Sequence, residues 1–428
     1  MVIAVVGIGL AGKQNLAKNV QEIVEQATVL AGSKRHLSYF VGHPAKKLEL
    51  TNLDLGIKAI ARLQSDEWTG DQTVVILTSG DPLFFGLGRL LLENFSAAEI
   101  NFYPHLSSVQ LAFSRVKIPW QDASLISVHG RSTEQLVKLF QQGKEKIAVL
   151  TDGNNNPAAI ARLLLALELP VDYSFYICEN LGDKDEKISH FLPAEISQLS
   201  NLERDNYAPL NVLILIREAQ KDLDLTKLPL IGLPDSSFLS FRDRPGLITK
   251  KEVRLAILGE LRLQPKQIVW DIGAGTGSVS IEIARLCPDS QIFAVEKTGM
   301  GSTLIAKNSQ RFQVSNITNV NGKAPEILLD LPNCDRVFIG GSGGMIVDIL
   351  TTCSQKLAAN GAIVMAFATI EYQLQAINWL NNHDWQYRLL QLQISRSTPI
   401  SHLTRLTPLN PVTIITAARQ ISSSVRST

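Results

Sequence analysis

The sequence predicts an α/β protein of two domains, and three observations predict it. Short apolar, β-rich runs alternate with helical patterns along nearly all of the 428 residues. A glycine-rich turn follows such a run twice, in VIAVVGIGLAG at the start and in WDIGAGTGSVSIEIAR at 270–285. Between them the apolar pattern breaks at AQKDLDLTKLPL, 219–230, a charged stretch with Pro229 near its end. The expected domains are therefore 1–218 and 230–428, joined by a linker at 219–229.

The first half supplies buried strands in VIAVVGIG (2–9), TVVILTSG (73–80) and KIAVLTD (146–152). Helices with apolar faces are expected in NLAKNVQEIVEQA (15–27), LGIKAIARLQS (55–65), SSVQLAFSRV (107–116) and PAAIARLLLALEL (157–169). A run of strands with few helices follows in VDYSFYICENL, EKISHFL and NVLILIRE. Wound strands followed by an antiparallel-looking run divide this half into two subdomains. In the second half, Thr249 and Glu252 have capping-box spacing, which predicts a helix from Lys250. Strand-like runs then come in QIVWDIG, QIFAVEK, ITNVNGK, RVFIGG and AIVMAFA. The closing runs YRLLQLQIS and PVTIITAAR are joined by SRSTPISHLTRLTPLN, which holds no helix long enough for a parallel crossover. They are expected to pair antiparallel.

Composition narrows the function. Lys+Arg 41 against Asp+Glu 40 gives no basic field to gather nucleic acid or hold a membrane surface. Cys178, Cys287, Cys334 and Cys353 lie far apart with no CxxC pair, so buried reduced thiols are expected rather than disulfides or a metal site. No apolar run is long enough to span a membrane, and no basic segment precedes the first strand. The default is a soluble cytoplasmic protein.

The loop at 273–277 decides what is bound. A nicotinamide dinucleotide fingerprint reads G-x-G-x-x-G, whereas here the spacing is G-x-G-x-G and Ser278 takes the next place. Asp271 before the loop suits a ligand ammonium and opposes a pyrophosphate. Glu296 ends the next strand, where a carboxylate can accept from two ribose hydroxyls. An aminoacyl nucleoside without phosphates, S-adenosylmethionine (SAM), fits these features better than NAD. An NAD(P)-linked oxidoreductase is the competing reading, disfavoured by the glycine spacing and the closing hairpin.

Residues 230–428 resemble the class I SAM methyltransferases, and among them the C15-methylating, decarboxylating kind of corrin synthesis. The likeness rests on GLPDSSF (232–238), LITKKEVR (247–254), WDIGAGTGSVSIEIAR, GKAPEIL (322–328), FIGGSGG (338–344) and NPV (410–412). Residues 1–218 resemble the tetrapyrrole methylases of the C5-methylating type. Here the matches are VVGIGLAG (5–12), SGDPLFFGLGR (79–89), HLSSVQLAFSR (105–115), HGR (129–131), LTDGNNNPAAIA (150–161) and CENLG (178–182). One departure is Leu10, where that family usually has proline. In order, the halves resemble the fused precorrin-6Y C5,15-methyltransferases (decarboxylating) of cobalamin biosynthesis.

The resemblance implies a tetrapyrrole methylase fold of two α/β subdomains, then a Rossmann-like class I domain with an antiparallel closing hairpin. It implies two SAM sites and homo-oligomers. The C-terminal site falls on Thr249, Gly273, Ala274, Gly275, Thr276, Gly277, Glu296 and Ala324. Thr249 either caps a helix only or also touches ligand. The N-terminal site falls on Gly7, Gly9, Gly80, Asp81, Ser107, Ser108 and the stretch 154–157. Asp81 either pairs a ligand cation or braces the SGDP turn, and Ser107 either caps the next helix or contacts ligand. The implied substrate, precorrin-6B or its cobalt form, carries many carboxylates. Residues 385–428 hold Arg388, Arg396, Arg405, Arg419 and Arg426. Arg396, His402 and Arg405 on the hairpin connection are the expected grips for its acetate and propionate arms. Neither a catalytic triad nor a metal cluster is visible, and none is needed for displacement from a sulfonium. A third reading leaves the N-terminal half as a docking module beside a single methyltransferase site.

Overall fold

In the computed structural model, residues 2–65, 73–203, 206–220, 222–400 and 403–419 are described. The chain divides into two compact units: Met1–Leu136, Glu145–Ala158 and Ser174–Ile216 in one, Val137–Lys144, Ala159–Tyr173 and Arg217–Thr428 in the other.

The first sheet holds β1 (Val2–Ile8), β2 (Val29–Gly32), β3 (Lys46–Glu49), β4 (Thr73–Ser79) and β5 (Ile100–Tyr103) in the order β3-β2-β4-β1-β5. Every pairing is parallel. Alternate residues feed two cores. Ile3, Val5, Val74 and Ile76 pack into one, and Ala4, Val6, Val75 and Leu77 into the other. Both faces are covered, which is why β1 and β4 read as unbroken apolar runs. The connection from β1 runs toward β2, and that from β4 runs the opposite way to β5. Right-handed crossovers in opposite directions leave from opposite faces and open a crevice at the carboxyl ends of β1 and β4.

A second sheet follows, with β6 (Ser124–Ser127), β7 (Lys146–Leu150), β8 (Asp172–Glu179), β9 (Lys187–Phe191) and β10 (Asn211–Glu218) in the order β6-β7-β10-β8-β9. β7 pairs antiparallel with β10, and β8 with β9, as the run of strands led one to expect.

The C-terminal sheet has seven strands. They are β11 (Ile268–Ile272), β12 (Gln291–Glu296), β13 (Ile317–Asn321), β14 (Cys334–Ile339), β15 (Leu357–Phe367), β16 (Trp385–Leu392) and, after a small hairpin, β19 (Val412–Arg419). The order is β13-β12-β11-β14-β15-β19-β16, parallel from β13 to β15. β19 inserts antiparallel between β15 and β16, which is the expected closing pair. Trp270, Ile272, Val337, Ile339, Ile363 and Met365 fill one core, while Val269, Phe338 and Val364 face the other. Asp271 is the exception in β11, a carboxylate with no exposed surface.

Three expectations change. The connection between β16 and β19 is not plain loop but a hairpin of its own, β17 (Ser395–Ile400) against β18 (Leu403–Pro408). The second-half helix runs Lys251–Leu261 with Lys250 as its N-cap and no side-chain cap, so Thr249 does not cap it. Glu252, the other half of the expected box, instead holds Arg396. Among the described residues no helix is long and apolar enough to cross a membrane. All four cysteines are free; Cys178, Cys334 and Cys353 are buried and Cys287 is half-buried.

Candidate functional site

The carboxyl ends of β11 to β14 frame a cavity of about 220 Å³. Its walls include Gly273, Glu296, Lys297, Lys323, Ala324 and the 341–343 loop. Gly273 sits at φ +73°, and a Cβ on it would stand 2.4 Å from the carbonyl oxygen of Gly341. Two backbones therefore touch at this point, and only glycine permits both the contact and the dihedral. Gly275 and Gly277 share the positive φ, and Gly277 starts the helix Ser278–Leu286.

Most of the loop's N–H groups are already used. Those of Gly273 and Ala274 donate to Val295 O at 2.9 and 3.1 Å, and that of Gly277 donates to Ala274 O at 2.8 Å. Gly275 N–H donates to Glu296 Oε2 at 3.0 Å. Thr276 is buried, and its carbonyl accepts from Asn308 Nδ2 at 2.8 Å. A phosphate site presents free N–H groups to its ligand, and this loop has spent those of Gly273, Ala274, Gly275 and Gly277.

Glu296 is itself fixed. Its second oxygen accepts from Thr298 N and Oγ1, each at 2.9 Å. Asp271 Oδ2 accepts from Ser280 N at 3.0 Å and Oγ at 2.5 Å, while Oδ1 is buried without a partner. Burial pushes the Asp271 carboxyl up to about 6, against the pull of the Ser280 bonds and with help from the negative charge of Glu296. Asp271 is not itself among the cavity walls; its bare Oδ1 lies behind Ile272 and Gly273, a buried negative charge near the cavity. Thr249 is not among the cavity walls; its carbonyl accepts from Arg254 Nη1 at 2.5 Å.

The N-terminal residues gather at the crevice between β1 and β4. A Cβ on Gly7 would lie 1.8 Å from Gly80 O, and one on Gly9 would lie 3.0 Å from the His105 ring. Gly80 N donates to Ile8 O at 3.2 Å, and His105 N donates to Gly80 O at 3.1 Å. Three strand-end loops are thus stitched together through one glycine. Asp81 Oδ1 accepts from Leu83 N at 2.9 Å, the bracing role. Ser107 forms a reciprocal capping box with Gln110 at the head of the helix Ser108–Val116, on which Ser108 is exposed. Asp152 accepts from the N–H groups of Gly130, Asn154 and Asn155, each at 2.7 Å, which ties HGR to the 154–157 loop. Burial alone would raise its carboxyl, but those donors hold it below its ordinary value.

The hairpin arginines divide. Arg396 is committed to Glu252 Oε2 at 2.6 Å and Asp235 Oδ2 at 3.3 Å. This revises the expectation for Arg396, whose fork already holds protein carboxylates. Arg388 pairs with Glu260, and Arg419 donates to Ser354 O. Arg405 is exposed on β18, while His402 lies outside the described residues. Lys297 and Lys323 were missed from sequence. Lys297 follows directly on β12 and Lys323 comes two residues after β13, where an exposed lysine is unremarkable until the cavity is seen.

Comparison with known proteins agrees with both halves. The tetrapyrrole (corrin/porphyrin) methylase profile matches residues 2–196, and the precorrin methyltransferase domain profile matches residues 241–419. A probable cobalt-precorrin-6B C(15)-methyltransferase (decarboxylating) of Pyrobaculum calidifontis is 36% identical over 188 residues, 44% of this chain and 95% of its own. A cobalt-precorrin-7 C(5)-methyltransferase of Salmonella typhimurium is 35% identical over 193 residues, 45% of this chain and 90% of its own. A precorrin-6Y C(5,15)-methyltransferase (decarboxylating) of Sinorhizobium sp. is 31% identical over 415 residues, 96% of this chain and 95% of its own. With likeness extending over the full length of such a relative, the chain belongs to the precorrin-6Y C(5,15)-methyltransferase (decarboxylating) family.

Proposed function

We propose that the chain methylates precorrin-6B, or its cobalt form, at C5 and C15 with loss of CO2 from an acetate arm, giving precorrin-8X. In this reading residues 230–428 carry the C15 and decarboxylating step, residues 1–218 carry the C5 step, and each holds one SAM. The observation that carries it is the pairing of Asp271 with the spent loop. The unpartnered Oδ1 places negative charge where an ammonium is favoured and a phosphate opposed, and all four of the loop's bonded N–H groups are used within the protein.

SAM supplies a methyl on a sulfonium, which is displaced in line and leaves a neutral thioether. The protein's own task is alignment and exclusion of water. Asp271, held by Ser280 behind the cavity wall, supplies negative charge toward the ammonium end. Glu296, held by Gly275 and Thr298, fixes the ribose hydroxyls with its remaining lone pairs. The 340–344 loop forms the opposing wall and meets the start of the helix Ile370–Asn382, where Tyr372 Oη would be 3.9 Å from a Cβ on Gly344. Lys297 and Lys323 set two positive charges beside a polycarboxylate. The carbon nucleophile draws its electrons from the conjugated ring nitrogens, so no strong protein base is required.

The test is a mass spectrum of the product from precorrin-6B with excess SAM. Two methyls gained and one CO2 lost are expected. One methyl gained with CO2 lost restricts the activity to the C-terminal site, and no change without SAM binding sinks the reading.

A further inference from the structure

A basic cluster beside the N-terminal crevice has no part in the sites above. Ser33 caps the short helix Lys34–Ser38, which follows the carboxyl end of β2 next to β4. Arg35 Nη2 lies 2.7 Å from Ser79 Oγ, at the last residue of β4 and one residue before Gly80. The same Nη2 lies 3.3 Å from His36 Nε2, and Ser79 Oγ lies 3.1 Å from that nitrogen. His36 is buried, and its Nδ1 lies 3.1 Å from Ser33 Oγ.

A guanidinium only donates, so Ser79 Oγ accepts from Arg35. With the ring proton assigned to Nδ1, His36 Nε2 accepts from Arg35 as well. Burial, with the Arg35 charge second, pulls His36 down to about 4, so the ring stays neutral near neutral pH. Neutral partners thus hold one corner of the Arg35 fork and leave its charge uncompensated. Among the described residues no ion pair includes Arg35. It is half-buried beside the switch-point loop, and its Nη1 and Nε hydrogens are the donors left for a carboxylate oxygen.

We propose that Arg35 binds a carboxylate arm of the tetrapyrrole at the N-terminal methylation site, with His36 and Ser79 as the positioning residues that aim it. The inference rests on the function proposed above and adds to it a residue that sets how the ring is registered. Arg396 was expected to act as a grip and is taken by protein carboxylates; Arg35 has no carboxylate partner among the described residues, and its Nη1 and Nε hydrogens lie outside the contacts to Ser79 and His36.

The experiment uses the full-length enzyme, because its C-terminal unit serves as the control in the same tube. Arg35→Ala should raise the KM for the tetrapyrrole in the step that adds a methyl without losing CO2, by about tenfold or more. Methyl gain with CO2 loss, and the Kd for SAM at both sites, should stay within about twofold, since they use other residues. Arg35→Lys should recover part of the loss, because it restores the charge but cannot hold Ser79 and a carboxylate through separate nitrogens. His36→Gln, which can return an acceptor toward the Nε2 position, should raise KM less than His36→Ala. An unchanged KM in Arg35→Ala overturns the proposal. So does a KM rise matched by an equal loss of SAM affinity, which marks a structural role. If Arg35→Ala fails to fold, Arg35→Gln is read by the same criteria. Wild-type enzyme that adds no such methyl sinks the functional reading itself, a result separable from failure of the variants alone.

Discussion

Replacing Asp271 by Asn should stabilise the C-terminal unit while weakening its ligand site. Asp271 is fully buried, with Oδ1 unpartnered, and its carboxyl rises from 3.8 to about 6. A rise of that size corresponds to about 3 kcal/mol against folding once the group is ionised in both states. The sign follows from the direction of the shift. A raised acid favours the fold fully below its unfolded value near 3.8, and that advantage is lost as pH climbs through about 6. Asn cannot ionise and can still accept from Ser280, although its amide nitrogen inherits the unpartnered position. The stability gap between variant and wild type should therefore widen in the variant's favour by about 1 kcal/mol from about pH 5 to about pH 8. Urea unfolding followed by tryptophan fluorescence reads this, since Trp270 is the adjacent buried residue. Calorimetry at about pH 8 should show SAM binding at one site weakened about tenfold or more, because the ammonium loses its counter-charge. A gap that does not change with pH, together with unchanged SAM affinity, would refute the reasoning.

Other outcomes follow from the same geometry. Gly273→Ala drives a methyl into Gly341 and should abolish CO2 loss while leaving the C5 methyl, read by product mass. Gly7→Ala does the reverse through its contact with Gly80 O. Arg396→Ala uncovers Asp235 and Glu252 and should cost about 2 kcal/mol of stability in urea, whereas exposed Arg405→Ala should cost less than about 0.5 kcal/mol. His36, lowered to about 4, stabilises the fold above its unfolded value near 6.5, and up to about 3 kcal/mol is lost as pH falls from there through 4. His36→Gln should flatten that acid limb in a pH series of unfolding curves.

What could be read from sequence follows physical range. The long central strands were legible because burial on both faces makes them continuous apolar runs, and the glycine loops because positive φ and backbone contact admit almost nothing else. The four-residue strands β2, β3, β5 and β6 are too short to show an alternation. The hairpin β17–β18 is written in Ser, Thr, Arg and Pro399, which read as loop. Arg396 reads from sequence as a grip for ligand carboxylates, because Glu252 lies 144 positions away and only the fold brings them together. Thr249 misled because capping-box spacing is a local signal, and the chain instead began its helix one residue later, leaving Glu252 to that distant arginine.

Glu296 carries a last consequence. Its carboxylate joins the loop after β11 to the start of the helix Gly299–Arg311 through the protein's own hydrogen bonds, so both segments are set when the chain folds. Adenosine arrival then needs no ordering of backbone there. Association should be a single fast phase, and amide exchange at Gly275 and Thr298 should already be slow before any nucleoside is added.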